Sequence, residues 1–201
     1  AVGAIGKNSA GNIQPDIGAV YVFTRDNSGD WSQLDFIRAA NAGENDQFGF
    51  SIALAGDTLA VGAIGKNSDI TTDVDVGAVY VFTRDNSGDW SQQDFIRATN
   101  ARENDQFGFS IALAGDTLAA GAVGKNSDVN ADVDVGAVYV FTRDDSGDWS
   151  QQDFIRGSNA EENDQFGAPV ALSGDTLAVG AVGKNSDLNN DVDVGAVYVF
   201  Q

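Results

Sequence analysis

The chain contains no cysteine, no histidine and no methionine, and only two prolines. Without cysteine and histidine, these residues cannot form disulfide bonds, Cys–His zinc sites, Ser–His catalytic triads or thiol nucleophiles. No apolar run approaches the roughly 18 residues of a membrane-spanning helix. These absences exclude several common kinds of catalytic site. A lack of disulfide bonds does not by itself indicate the cellular location of the protein.

Positive charge is also scarce. The 201 residues include 30 acidic side chains but only 11 Lys and Arg, and the net charge is −19. Aspartate makes up 26 of the acids, and because it favours turns and loops we expect the charge to lie in the connections between elements. So negative a chain argues against nucleic acid and anionic membranes as partners, and it favours cations or basic partners.

What the chain does contain is a repeat of 59 residues. The tryptophans and the Phe-Gly pairs recur at this spacing, at Trp31, Trp90 and Trp149 and at Phe48, Phe107 and Phe166. A period of this size is typical of solenoids, propellers and repeat arrays. We therefore interpret residues 1–201 as a single repeat segment, with partial units 1–47 and 166–201 around the complete units 48–106 and 107–165.

Each unit is predicted to form four β-strands. In the second unit, alternating or β-branched apolar residues predict strands at 48–54, 58–64, 77–83 and 90–97. Residues 56–57, Gly-Asp, give a two-residue turn signal between the first two strands, and no segment has a helical period. The fold class is therefore all-β. We predict a β-propeller of four-stranded antiparallel blades that covers about 3.4 repeats of a larger ring or array; a β-solenoid is the main alternative.

Two segments of the second unit resemble a known family. Residues 48–63 read FGFSIALAGDTLAVGA and residues 77–82 read GAVYVF. Both are similar to the FG-GAP repeat of the integrin α N-terminal β-propeller, and in particular to its bacterial branch. The resemblance implies a bladed propeller in bacterial proteins that are extracellular or displayed at the cell surface, where they serve adhesion or binding.

The chain departs from the family pattern at two points. Many FG-GAP blades carry a Ca²⁺-binding D-x-D-x-D-G loop between the first two strands, whereas here only Gly56 and Asp57 stand there. The resemblance therefore implies no Ca²⁺ site at that turn. Ile64 also stands where the family has proline, which affects local backbone geometry alone.

The predicted strands number three, four, four and three across the successive units. Propellers typically have about four to eight blades, and an unpaired strand edge is an aggregation hazard that proteins usually cover. We therefore expect the open blades to be completed by further repeats or by other copies of the chain.

The loop between the second and third strands is the candidate metal site. It repeats three aspartates per unit, and oxygen ligands clustered in this way suit Ca²⁺. The candidate ligands are Asp69, Asp73, Asp75, Asp128, Asp132, Asp134, Asp187, Asp191 and Asp193. This loop and the acidic link between units are predicted to share one face of the propeller. The alternative is a solvated acidic loop with Asx turns, and no other cofactor is predicted.

Other repeated features have structural explanations. Residues 85–89 and their copies favour a hairpin turn over a cation loop. The tryptophans are predicted to pack against the blades rather than to stack on sugars, and the repeated phenylalanines are predicted to fill the core between blades. The repeated lysines have no evident acidic partner and are expected to be solvated or to bridge loops. They are Lys7, Lys66, Lys125 and Lys184.

The similarity of the units bears on function, because an enzyme site usually needs one copy that differs. No copy here gains a unique acid, base or nucleophile. The leading hypothesis is a non-catalytic extracellular structural or adhesive repeat protein that acts through assembly or contact with a surface protein or glycan, without nucleic acid or membrane insertion. Two alternatives stay open: a Ca²⁺- or glycan-binding module that uses the acidic loop face, and the non-catalytic propeller of a larger secreted enzyme.

Overall fold

The computed structural model describes residues 1–8, 15–127, 133–186 and 192–201. These residues form β-strands and connecting loops, with no helix among them. The strands are β1 (Val2–Gly3), β2 (Val20–Arg25), β3 (Trp31–Ile37), β4 (Phe48–Ala55), β5 (Thr58–Ala63), β6 (Ala78–Arg84), β7 (Trp90–Ile96), β8 (Phe107–Ala114), β9 (Thr117–Ala122), β10 (Ala137–Arg143), β11 (Trp149–Ile155), β12 (Phe166–Ser173), β13 (Thr176–Ala181) and β14 (Ala196–Phe200).

The strands form four antiparallel sheets, which we call blades 1 to 4. Blade 1 contains β1–β3, blade 2 β4–β7, blade 3 β8–β11 and blade 4 β12–β14, each in sequence order across its sheet. Neighbouring blades meet chiefly through β4, β8 and β12, so the first strands lie at the inner ends of the blades. The predicted all-β class and the strand numbers of three, four, four and three are confirmed, and the blades form an open array rather than a closed ring.

The hairpin between β4 and β5 shows how local sequence defines the strands. Gly56 adopts a φ of 56°, whereas Asp57 does not enter the left-handed region. This is the φ pattern of a type II′ turn, whose twist matches that of the flanking strands. Each observed strand of blade 2 begins and ends within one residue of its predicted position, because period-two alternation and turn chemistry are both local signals.

The second hairpin of blade 2, between β6 and β7, closes through an Asx turn. Oδ1 of Asp85 accepts hydrogen bonds from the backbone N–H of Ser87 at 2.8 Å and of Asp89 at 3.0 Å. The carboxylate therefore satisfies the turn itself. The prediction of a hairpin turn rather than a cation loop is confirmed here.

The inner strands of successive blades approach one another very closely. Oγ of Ser51 in blade 2 donates a hydrogen bond to the carbonyl oxygen of Gly108 in blade 3 at 2.6 Å, and Ser110 repeats this bond to Gly167 at 2.5 Å. A Cβ atom at Gly62 would overlap the same Gly108 carbonyl. Small residues are thus required on the inner strands because backbone, not side chain, fills the neighbouring space.

A hydrophobic cluster lies between each pair of successive blades. The repeated phenylalanines are central to these clusters: Phe48, Phe107 and Phe166 are all essentially inaccessible to solvent. Phe107 makes a T-shaped contact with Tyr139, with 5.5 Å between ring centroids. The prediction that these phenylalanines form the core between blades is confirmed, and the blades depend on one another for burial of apolar surface.

The three tryptophans differ in their surroundings although their local sequences match. Trp90 and Trp149 pack against the clusters that their own blades form with the preceding blade, as predicted. Trp31 is 68% exposed. The difference arises because the described residues contain no blade before blade 1, so the packing prediction is wrong for this one copy.

Candidate functional site

The predicted Ca²⁺ ligands lie partly outside the described residues. Asp128, Asp132, Asp187 and Asp191 fall there, whereas Asp69, Asp73, Asp75, Asp134 and Asp193 are described. The structure describes the loop between β5 and β6 of blade 2 in full. The predicted Ca²⁺ site is therefore compared with the structure of this copy.

In that loop, Asp69 and Asp75 already have structural roles. The Asp69 carboxylate lies 3.1 Å from Nη2 of Arg97. Asp75 has a φ of 51°, a backbone region that aspartate tolerates better than most residues. Its N–H donates to Oδ1 of Asn67 at 3.0 Å, and its carbonyl oxygen accepts from the N–H of Gln106 at 3.0 Å. The same φ range recurs at Asp134 and Asp193.

The carboxylates of Asp73 and Asp75 have no hydrogen-bond or ion-pair partner in the part of the chain that the structure describes. No three acidic side chains converge as a metal-binding group among the described residues either. Because four of the nine candidate aspartates lie outside that part, the Ca²⁺ site stays a prediction.

The loop and the following inter-blade link do lie together, as the sequence predicted. The N–H of Asn104 in the link donates to the carbonyl oxygen of Val74 in the loop at 3.0 Å, and Gln106 bonds Asp75 in the same way. The link also contributes Glu103, which is exposed. This acidic loop face therefore combines negative charge from two segments.

A second set of charged residues was not found from the sequence. At each internal blade contact, a lysine from the loop after the second strand is buried against an acid and an asparagine of the link that precedes its blade. We call each set a lysine junction. The three sets are Asn41, Asp46 and Lys66; Asn100, Asp105 and Lys125; and Asn159, Glu161, Asp164 and Lys184.

The junction between blades 2 and 3 has the most complete burial. Nζ of Lys125 lies 3.1 Å from Oδ2 of Asp105 and donates to the carbonyl oxygen of Asn100 at 2.7 Å. The lysine is 1% exposed. Oδ2 of Asp105 also accepts the backbone N–H of Arg102 at 2.8 Å. With both charged groups enclosed and bonded to protein, the arrangement ties a loop to a link and leaves no open position for a substrate.

The sequence-based expectation for the lysines is therefore only partly right. Solvation is wrong for Lys66, Lys125 and Lys184, which are buried, and the bridge between loops is confirmed for them. Lys7 is exposed. A usable signal was present, since an aspartate precedes each buried lysine by 20 residues in every unit.

Burial also affects protonation at this junction. Desolvation raises the pKa of the Asp105 carboxyl, and the Lys125 charge lowers it again in part. A buried carboxylate resists ionisation unless a cation stays beside it. The ionised state of Asp105 thus depends on its lysine, which makes the pair a structural unit.

A tyrosine hydroxyl binds the asparagine of each lysine junction. The hydroxyl of Tyr80 donates to Oδ1 of Asn41 at 2.7 Å, and Tyr139 and Tyr198 repeat this bond at 2.6 Å. Burial raises the pKa of Tyr80 above its ordinary value of 10.0, and the Asp46 charge raises it further. The tyrosine therefore serves as a neutral donor.

The protonation of Tyr80 gives a pH-dependent prediction for Tyr80→Phe. Above about pH 10 the unfolded chain loses the phenolic proton while the folded chain keeps it, so the free energy of unfolding of the wild type falls as pH rises. The variant lacks this effect but loses a hydrogen bond of about 1 kcal/mol. Urea unfolding should show it less stable at about pH 8, with the gap closing toward pH 11 by up to about 1.4 kcal/mol per pH unit. A constant gap would contradict this.

Comparison with known proteins shows that the repeat matches a known protein family. A family model described as the FG-GAP repeat matches residues 31–82, 90–141 and 149–200. Each match begins at the tryptophan of an outer strand and ends in the third strand of the next blade. No curated protein matches the chain. In the described part of the chain, no helix has the length and apolar character needed to cross a membrane.

Proposed function

Because the chain belongs to the FG-GAP repeat family, we propose that it is a non-catalytic structural or adhesive module that acts through assembly or protein–protein contact. FG-GAP repeats are generally extracellular β-propeller modules that mediate protein interactions, and the family is typically non-catalytic. Placement of this chain at a bacterial cell surface is part of the proposal.

The observation that carries the proposal is the repetition of the lysine junction at all three internal blade contacts. The buried lysines and acids of these junctions are the groups most suited to catalysis. Each of them is already bonded to other protein groups at a contact between adjacent blades. A catalytic site needs reactive groups that face a substrate. Repeated enclosed pairs fit a scaffold that presents its outer surface to partners.

A bead-adhesion assay tests this function. Beads that carry the folded 201-residue chain are expected to be retained under flow on bacterial cells, on a layer of the same protein, or on both. The two surfaces separate adhesion to cells from assembly between copies. Beads that carry the heat-unfolded chain are the control. Equal retention of folded and unfolded coatings on both surfaces would refute the proposal.

A second candidate function, Ca²⁺ binding at the acidic loop face, is favoured by the unpaired carboxylates of Asp73 and Asp75 described above. Ca²⁺ prefers six to eight oxygen ligands, so a site here needs further oxygen ligands besides the two carboxylates. A glycan ligand on this face stays a prediction as well.

Isothermal titration with Ca²⁺ tests this second candidate. The double variant Asp73→Asn, Asp75→Asn removes two charges, and asparagine tolerates the φ of 51° at position 75. If the loop binds Ca²⁺, the heat of binding should fall for this variant. Asp145→Asn is the matched control, because the equivalent residues Asn27 and Asn86 are already asparagine. Equal heats for the wild type and both variants would place any Ca²⁺ elsewhere.

A further inference from the structure

The lysine junction between blades 3 and 4 contains an acid that the other two junctions lack. Nζ of Lys184 donates to Oε2 of Glu161 at 2.9 Å, whereas the equivalent residues of the earlier links are Gly43 and Arg102. The expectation that no repeat unit gains an acid of its own is therefore wrong at this position. Only this junction, among the described residues, brings two carboxyl groups to one lysine.

The lysine and the aspartate of this junction are enclosed in protein. Lys184 is 2% exposed and Asp164 is 1% exposed, and Nζ lies 3.5 Å from Oδ2 of the aspartate. The backbone N–H of Glu161 donates to the same Oδ2 at 2.8 Å. The carbonyl oxygen of Asn159 accepts from Nζ at 2.8 Å. Backbone groups of the link thus hold the amine and the carboxyl group beside each other.

The aspartate carboxyl group also has an unsatisfied oxygen. Oδ1 of Asp164 is buried and has no hydrogen-bond partner within the part of the chain that the structure describes. A buried carboxylate with an unpaired oxygen costs free energy, and a neutral group in its place costs less. Formation of an amide with the adjacent amine would remove the charge from both groups.

We propose that Lys184 and Asp164 condense spontaneously to an intramolecular isopeptide bond, with Glu161 as the proton carrier. The amide forms between Nζ and Cγ, and one carboxyl oxygen of the aspartate leaves as water. The ammonium group supplies both protons of that water, so atoms and net charge balance between the ion pair and the products. The condensation needs no oxidant, cofactor or second substrate.

Glu161 contacts the reacting amine and is suited to carry protons. An ammonium group has no lone pair, so Nζ gives a proton to a base before it attacks a carbonyl carbon. Oε2 of Glu161 accepts that proton and passes it to the carboxyl group of Asp164, and the second proton follows the same route to the leaving oxygen. The Glu161 side chain is 61% exposed, which lets it exchange protons with solvent.

The fold favours condensation over hydrolysis at this place. Groups held in reacting geometry reach effective concentrations of about 10⁵–10⁸ M, which exceed the concentration of water. Burial also excludes the water that would hydrolyse the amide. Lys66 and Lys125 have the ion pair without a second acid, so we expect both of them to remain free amines.

Mass spectrometry of the complete 201-residue chain tests the bond. The denatured wild type should be lighter by one water molecule than its sequence requires. Trypsin should then leave residues 157–201 as one peptide, because Lys184 is the only trypsin site within them and trypsin does not cleave after an acylated lysine. Normal cleavage after Lys125 is the internal control.

A Glu161→Gln variant tests the proton carrier. Glutamine keeps a polar side chain of the same size but does not accept the proton, and the exposed position makes a loss of fold unexpected. The variant should have the full mass of its own sequence and give the separate peptides 157–184 and 185–201. Glu162→Gln is the matched control, since this neighbouring acid is exposed, and it should keep the linked peptide.

Three outcomes would overturn the proposal. The first is a wild type with the full mass of its sequence. The second is a loss of water with normal cleavage after Lys184, because the dehydration would then lie elsewhere in the chain. The third is a linked peptide in Glu161→Gln, because the bond would then form without its proton carrier.

Discussion

Replacement of Lys125 by alanine is expected to lower the free energy of unfolding by about 3–5 kcal/mol, because it leaves a buried carboxylate without its cation. The lysine is almost completely buried, and it is the ion-pair partner of Asp105. The truncation also removes the donor to the carbonyl oxygen of Asn100. Urea unfolding followed by tryptophan fluorescence measures the loss.

Lys7→Ala is the matched control for this prediction. Lys7 occupies the same repeat position as Lys125 but is exposed, so its replacement should change stability by less than about 0.5 kcal/mol. The double variant Lys125→Met, Asp105→Asn should recover part of the stability, because no unpaired charge remains. A loss below about 1 kcal/mol for Lys125→Ala would show that the lysine junction contributes little.

Gly124→Ala is expected to destabilise the chain by at least about 3 kcal/mol or to prevent folding. A Cβ atom at this position would lie well inside van der Waals contact with the carbonyl oxygen of Asn104. That carbonyl cannot move aside easily, since the N–H of the same residue bonds Val74 at 3.0 Å and fixes the link. The expected result is a large fall in the urea midpoint or a loss of soluble folded protein.

The first unit again supplies the control. Gly6 has the same repeat position and is also followed by Lys-Asn-Ser, but the nearest atom to an added Cβ is Oδ1 of Asp16 at 3.6 Å. Gly6→Ala should therefore be nearly neutral. If both alanine variants lost similar stability, the cause would be backbone preference rather than contact with the preceding link.

These pairs of positions also show what the sequence can and cannot predict. The hairpin at Gly56 and Asp57 was predictable because turn residues and strand alternation act over a few neighbours. The surroundings of Trp31 and Trp90 were not, because their local sequences are nearly the same and the difference comes from the presence of a preceding blade. Long-range position, rather than residue type, decides which copy is buried.

The candidate sites show the same limit. The aspartates of the loop before β6 were visible as a cluster, but their backbone roles depend on a fold that places Asp75 beside Gln106 of the next link. The pairing of Lys125 with Asp105 likewise needs two segments 20 residues apart to converge. Burial turns an ordinary lysine into a structural residue, and burial at a blade contact is a property of the assembled array.

The near-identity of the three lysine junctions has a consequence for how the blades find their order. Each interior face is built from almost the same residues, so a blade would gain nearly the same energy on a wrong neighbour as on the right one. Shape and charge complementarity thus cannot select the sequence of blades. The short covalent links therefore determine which blades become neighbours, because they give the adjacent blade a far higher effective concentration than any other blade.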